Sequence, residues 1–435
     1  MDRPHVLLIS LDTVRRDFLG CYGYPKTLTP HLDRLAETGV RMEHCIANCG
    51  WTLPQHMTLF TGLYPPTHQC VLLRGEAPLH EGWTTLPQQL KAHGYRTFAG
   101  VTLNRYGGGV PYGFARGFDE RQVAPEHNRH MPFSERFAIE AFERNHAKGP
   151  CFVYLHIHDS HEPWAPPEPW LSMHGGSFQN LYEGELNYVD HHLGEIFTAL
   201  KRMGIFEKTL IVLFADHGTE FAEHGFVEKK VNLYQEILRV PLMFHWPEAL
   251  PAGRAVSGLC ESAQVAPTIL ELLGLPPLPG QQGESLAPRL RGQGGAALKR
   301  VCSHTRHEHQ RDGGPAQFDH WAIQTERYKF IRLELFADPG ELHADWKWRM
   351  QALMVRARRD PASLKAGTVV CELFDLQKDP RESFNLLAEQ PTPPRWAHDL
   401  APEEAIRIAD GLESELNSWI RAATAAAKEP AEAKR

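Results

Sequence analysis

The chain has 435 residues, 42% hydrophobic and 23% charged, which is enough for a large core and for two domains. A formal net charge of −7 and a pI near 6.4 argue against the basic face that sequence-independent nucleic-acid binding needs. No apolar run reaches the roughly 18 residues of a membrane-spanning helix, and eight scattered cysteines without a CxxC pair predict reduced, buried thiols. "MDRPHVLLISLD" lacks the charged, apolar and small-residue parts of a signal peptide, so the cytoplasm is the expected compartment.

"HVLLISL" (5–11) is a nearly continuous apolar run, the pattern of a strand buried on both faces. "LTPHLDRLAETG" (28–39) predicts a helix with a glycine stop. In "CGWTLPQHMTLFTGLYP" (49–65), Leu53, Met57, Phe60 and Leu63 give a helix one apolar face, with Thr52 at its start and Pro54 in the first turn. Helix and strand then alternate: "TTLPQQLKAHG" and "YRTFAGV", "FSERFAIEAFERNHA" and "PCFVYLHI", a long helix over 181–204, then strands "TLIVLFAD" and "RVPLMFHW". This alternation predicts an α/β fold with a doubly wound, mainly parallel sheet over 1–275.

A Pro/Gly-rich connector occupies 276–300. A smaller α+β subdomain is expected over 301–400, with antiparallel strands in "FDHWAIQTERYKFIRLEL" and "CELFDL". Between them, 336–369 has a helical middle and no evident core role, and "WKWRMQALMV" within it has the look of an interface helix. "CSHTRHEHQ" (302–310) reads as a His-rich surface loop. Residues 401–435 hold a final amphipathic helix and a solvated tail.

Polar residues collect at strand ends. Asp12 follows the first strand, Asp216-His217-Gly218 follow "TLIVLFA", and "HDSHEP" follows "CFVYLHI". In open α/β sheets that edge is where ligands sit. Asp12, Asp216 and His217 suit one divalent cation, with the imidazole leaning the choice from calcium toward manganese, zinc or iron. Thr52 either caps its helix or serves as a nucleophile toward an anion held at the helix terminus. Asn104 and Arg105, after a strand, are placed to touch substrate.

The stretch from "LLISLDTVRRDFLGCYGYP" to "CGWTLPQHMTLFTGLYPPTH" resembles the amino-terminal signature of the sulfatase family, within the alkaline-phosphatase superfamily. The likeness continues through "YLHIHDSHEPWAPPEPW", "FADHGTEFAEHG", "NLYQEILRVPLMFHWP", "ERYKFIRL" and "ELFDLQKDPRESFNL", in the family's order. The resemblance implies a large mixed, mainly parallel sheet flanked by helices, plus a C-terminal subdomain. It implies that Asp12, Asp216 and His217 bind metal and that Thr52 stands where sulfatases carry the cysteine or serine converted to formylglycine. It further implies that His161 serves the leaving group and that Lys230, with Lys229 as the register alternative, binds the anionic group. Two-metal relatives imply a second ion at Asp159, His161 and His224. His158 is held in reserve and points away if its strand stays extended.

The departures bear on the chemistry. The maturation motif is replaced by Thr52-Leu53-Pro54-Gln55-His56, and Thr13 stands where the resemblance implies a second aspartate. Threonine is a secondary alcohol and would oxidise to a ketone. Superfamily members that use threonine act on phosphate esters. The expectation is therefore a metal-dependent hydrolase or phosphotransferase of a small anionic ester, a phosphodiester or phosphonate monoester, through a covalent Thr52 intermediate. His161 would act as general acid, with Lys230 and His56 holding equatorial oxygens. The ion would be manganese, zinc or calcium, with room for a second. The alternatives are a sulfuric ester hydrolase working without formylglycine, and a non-catalytic binding protein on the same fold. Nucleic acid and a membrane span are not expected, and oligomeric state is not legible.

Overall fold

A computed structural model describes residues 3–71, 78–102, 113–124, 131–227, 229, 232–308, 316–338, 340, 342, 344–357, 359–388 and 394–427. The three most apolar runs of the sequence become its central strands. In chain order the larger sheet contains β1 (His5–Leu11), β2 (Val40–Ile46), β3 (Arg96–Val101), β4 (Glu120–Val123), β5 (Cys151–Ile157), β6 (Thr209–Ala215), β7 (Arg239–Val240), β8 (Leu242–His245) and β9 (Arg254–Glu261). Their spatial order is β4-β3-β5-β1-β6-β8-β2-β7, with β9 also paired to β2. β1 lies parallel to both β5 and β6, and all three are buried along their whole length. Burial of each large apolar side chain there is worth roughly 1.5–3 kcal/mol, and the flanking helices Met131–Asn145 and Phe178–Arg202 cover them.

The sheet is mixed, because β8 runs antiparallel to β6 and to β2. The run "RVPLMFHW" is two strands, not one. Pro241 lacks the N–H that a continuous ladder needs, so β7 pairs with β2 while β8 pairs with β6 and β2. β2 itself, "VRMEHCI", shows alternating burial that its charged residues hide from a reading of apolar runs.

The second sheet is antiparallel, in the order β10 (Val301–Glu308), β11 (Ala316–Gln324), β12 (Tyr328–Leu335) and β13 (Val369–Asp375). Residues 301–308, read as the start of a His-rich loop, are strand β10, with Cys302 and His304 buried. Side chains alternate between faces. Trp321, Ile323 and Phe330 pack against Ala405, Leu412 and Leu416 of the helix Pro402–Ala426. On the other face Phe318, Leu333 and Leu335 meet Met350, Leu353 and Met354 of the helix Ala344–Arg356. The insertion at 336–369 therefore has a core role, which its mixed composition concealed. Phe226 of the larger unit joins that second cluster and ties the two sheets together. No helix among the described residues is long and apolar enough to cross a membrane.

Candidate active site

The carboxyl ends of β1 and β6 deliver Asp12 and Asp216-His217, and the chain leaving β2 enters the helix Thr52–Thr61 at the same edge. Trp51 is the cap residue, so Thr52 is the first residue inside the helix. The Thr52 hydroxyl lies 3.3 Å from Nε2 of His217. His217 donates from Nδ1 to the Gly218 carbonyl at 2.9 Å, which leaves Nε2 with its lone pair. That lone pair stands 3.6 Å from Asp12 Oδ1 and 3.4 Å from Asp216 Oδ2.

Such an arrangement is repulsive by itself and favourable around a cation. Asp12, Asp216 and His217 each bring a ligand atom within 4.8 Å of the others. Asp12 Oδ2 and Asp216 Oδ2 are buried and hydrogen-bond to nothing, a state that costs each carboxylate several kcal/mol unless it is neutralised. Burial, and then the charge on Asp12, push Asp216 well above the usual carboxylate range. Burial acts on Asp12 in the same sense, but Lys229 and His161 outweigh it and hold Asp12 low. His217 is kept neutral by burial and by Lys229. Two carboxylate oxygens, an imidazole lone pair and an adjacent hydroxyl fit a divalent ion of the manganese, zinc or calcium type.

Local backbone explains why these residues meet. Thr13 adopts a left-handed φ of 60°, and its hydroxyl lies 2.7 Å from the carbonyl oxygens of both Asp12 and Ser160. Its backbone N–H reaches Asp216 Oδ1 at 3.3 Å. The threonine standing where the resemblance implies a carboxylate thus locks the turn and adds no carboxylate to the ligand group. Gly218 is required by close approach, since a Cβ there would lie 1.9 Å from the Glu236 carbonyl oxygen.

Of the two candidate lysines, Lys229 places Nζ 3.4 Å from Asp12 Oδ1; Lys230 and Asn104 lie outside the described residues. His161 donates from Nδ1 to its neighbour's carbonyl, that of Glu162, at 2.6 Å, which leaves Nε2 as the atom that can take up and release a second proton. His158 turns toward the site, contrary to the alternation argument. β5 ends at Ile157, so the alternation stops one residue earlier. His158 Nε2 is 3.8 Å from Asp12 Oδ2, its ring stacks on His161 with centroids 4.2 Å apart, and Asp12, His158 and His161 form a ligand group.

His56 is not a substrate contact. It is buried, accepts from Ser10 Oγ at 3.0 Å through Nε2, and donates from Nδ1 to the Thr52 carbonyl at 2.7 Å. Burial lowers its pKa to about 3, so it carries no charge to offer an oxyanion. It positions the backbone of Thr52 instead. His156 was missed by sequence reasoning, because it sits inside an apolar strand. Its Nε2 lies 3.5 Å from Asp12 Oδ2 and its ring stands on His56 with centroids 4.8 Å apart. No local signal marks it, since an imidazole inside a strand buried on both faces reads as a core residue.

The proposed second set does not assemble. Asp159 accepts from the Met131 backbone N–H at 3.4 Å. His224 donates from both ring nitrogens, to Glu220 at 2.5 Å and to the Arg381 carbonyl at 2.9 Å, and stacks on Tyr234. An imidazole with both nitrogens donating has no lone pair for a metal. The Glu220–His224 pair is buried.

Compared with known proteins, residues 4–275 match the family described as Sulfatase, and residues 222–348 match N-sulphoglucosamine sulphohydrolase, C-terminal. Arylsulfatase A of Homo sapiens is 25% identical over 452 residues, covering 88% of this chain and 83% of that protein. The fold is similar to that of the phosphonate monoester hydrolase of Agrobacterium radiobacter, with a TM-score of 0.74, 22% identity, and 97% and 96% of the two chains covered. It is also similar to a structure solved with D-glucosamine-2-N,6-O-disulfate bound, with a TM-score of 0.70, 17% identity, and coverage of 98% and 99%.

Proposed function

Since the chain belongs to the sulfatase family and is a sulfatase-like ester hydrolase, we propose that it cleaves phosphate esters, a phosphodiester or phosphonate monoester, through a covalent intermediate on Thr52. The observation that carries this reading is the placement of the Thr52 hydroxyl beside His217 in the Asp12–Asp216–His217 group. A divalent ion held by these three side chains supplies electrophilic activation of the ester and acidification of the Thr52 hydroxyl.

The chain's own groups do the rest. Thr52 releases its hydroxyl proton to solvent before attack, and the bond from its Oγ1 to phosphorus forms as the bond to the leaving oxygen breaks. His161 Nε2 gives the leaving oxygen its proton, and the Lys229 ammonium holds a non-bridging oxygen. In the second half His161 takes a proton from water as the phosphothreonine is hydrolysed. Threonine supports this cycle without oxidation, whereas formylglycine chemistry needs an aldehyde. Among the described residues Lys229 is the strong cation beside Asp12, which matches a singly charged ester better than a doubly charged monoester.

A second reading, sulfuric ester hydrolysis at the same Thr52, is favoured by the family match and by arylsulfatase A among its relatives. A screen on the metal-loaded protein separates the two. Bis-p-nitrophenyl phosphate and a phenylphosphonate ester should be turned over faster than p-nitrophenyl phosphate or p-nitrocatechol sulfate. Preference for the sulfate would transfer the assignment to the second reading. Intact mass of a His161→Ala variant after substrate addition should show one transferred group on Thr52. A Thr52→Ala protein that keeps full metal-dependent turnover rules out the nucleophile.

A further inference from the structure

We propose that a cavity lined by Arg16, Arg239 and Arg381 binds a tetrahedral oxyanion of the sulfate or phosphate class, outside the catalytic centre. The cavity has a volume of about 470 Å³. It lies at the same sheet edge as Thr52, because Arg16 follows Asp12 by one turn of chain and Arg239 pairs with Ile46 at the carboxyl end of β2. Gly218, of the Asp216-His217-Gly218 turn, donates to the carbonyl of Ile237, two residues before Arg239, at 2.8 Å.

The cations of this cavity are not balanced from within. Asp17 and Glu223 are occupied by Arg15, at 2.8 Å and 2.5 Å. Among the described residues no carboxylate lies within ion-pair distance of Arg16 or Arg239, and the Nε of each is buried without a hydrogen-bond partner. Arg16 rests on the Tyr22 ring, 4.4 Å from its centroid, and Arg239 donates to Nδ1 of His44 at 2.9 Å, so neither is free to swing into water. Burial and the neighbouring Arg16 lower Arg239 to about 10, and burial lowers Arg16 as well. Arg381 stands exposed at the rim.

A buried guanidinium Nε without an acceptor is costly, and native structures seldom leave two so close. An oxyanion supplies several acceptor oxygens at once, in the geometry a planar guanidinium fork matches. Glu236, which also lines the cavity, has its pKa raised to about 7 by burial and can present a proton instead of a charge. The oxyanion is either a free inorganic ion or a second anionic group on the substrate.

The test titrates inorganic sulfate and phosphate into the full chain by calorimetry at constant ionic strength. A Lys229→Met background removes the ammonium of the catalytic centre. Saturable binding is expected there, weakened about tenfold or more by Arg16→Gln or Arg239→Gln. Arg381→Gln, at the exposed rim, should weaken it as well, and serves if the buried variants do not fold. Absence of binding, or equal affinity in folded variants of all three positions, overturns the proposal. In the Lys229 protein, Arg381→Gln then identifies the source. A higher KM for a doubly anionic ester, with that for a singly anionic ester unchanged, supports a group on the substrate. Unchanged KM for both, with weakened sulfate binding, supports a free ion.

Discussion

Lys229 Nζ stands 3.4 Å from Asp12 Oδ1, so the ammonium proposed to hold the substrate also holds a carboxylate of the Asp12–Asp216–His217 group in its charged form. The two roles would compete, because Asp12, if engaged with a divalent ion, would release the lysine to the ester. Lys229→Met should therefore lower kcat/KM for bis-p-nitrophenyl phosphate by roughly tenfold to a hundredfold, the worth of a charge-assisted hydrogen bond. Its affinity for manganese or zinc should stay level or rise. Steady-state kinetics and metal titration check both halves, and a loss of metal affinity would contradict the assignment.

Gly218 gives a steric prediction independent of charge. A Cβ at this position would meet the Glu236 carbonyl oxygen at 1.9 Å, which is backbone and cannot swing aside. Gly218→Ala must displace the turn that carries Asp216 and His217, at a cost of about 3 kcal/mol or more. Thermal unfolding should show the loss, and the purified variant should contain far less metal. Wild-type metal content with a wild-type melting temperature would mean that the turn is not held as described.

The parts of this architecture legible in the sequence are those governed by continuous burial. β1, β5 and β6 are unbroken apolar runs, and the polar residues directly after them are the ones that converge. β2 was not legible because Arg41, Glu43 and His44 interrupt it, each only partly buried. β10 was hidden by its histidines, although pairing with β11 buries His304 against Asp319. Tertiary reach was the other gap. Nothing local distinguishes His156, inside a strand, from a satisfied core histidine. Nothing in the spacing of Glu220 and His224 shows that Tyr234 and the Arg381 carbonyl will enclose them.

That enclosure makes His224 a cation within the protein, with a pH signature. Burial alone would lower its pKa, but the Glu220 hydrogen bond and the Glu220 charge lead the opposing effects and raise the value from 6.5 to about 9. A group whose pKa is higher folded than unfolded stabilises fully below the unfolded value. The contribution, about 3 kcal/mol at most, fades as pH rises from 6.5 through 9. Denaturant unfolding across that interval should show falling stability, and His224→Ala should be destabilised at pH 6 by a similar amount and have a flatter profile. Metal stoichiometry should not change, since His224 has no lone pair to give. A fall in stoichiometry would return it to the metal-binding set.

Asp216→Asn tests the metal centre without relying on turnover. Asp216 Oδ1 accepts from the backbone N–H of Thr13 at 3.3 Å and of His217 at 2.8 Å, and an asparagine oxygen keeps both bonds. The change falls on Oδ2, which is buried, unpartnered and 3.4 Å from the His217 lone pair. An amide nitrogen there donates to that lone pair and ends the repulsion with Asp12. Without metal, the variant should therefore unfold at a higher temperature than wild type, by the equivalent of about 1–3 kcal/mol. With metal the order should reverse. Wild type gains about 4 kcal/mol at a thousandfold excess of ion over Kd, while the variant, with one anionic ligand left, gains little. Melting curves with chelator and with added manganese give all four values. If the chelated variant melts below wild type, the two carboxylates are not poised against each other, and the cation does not sit between them.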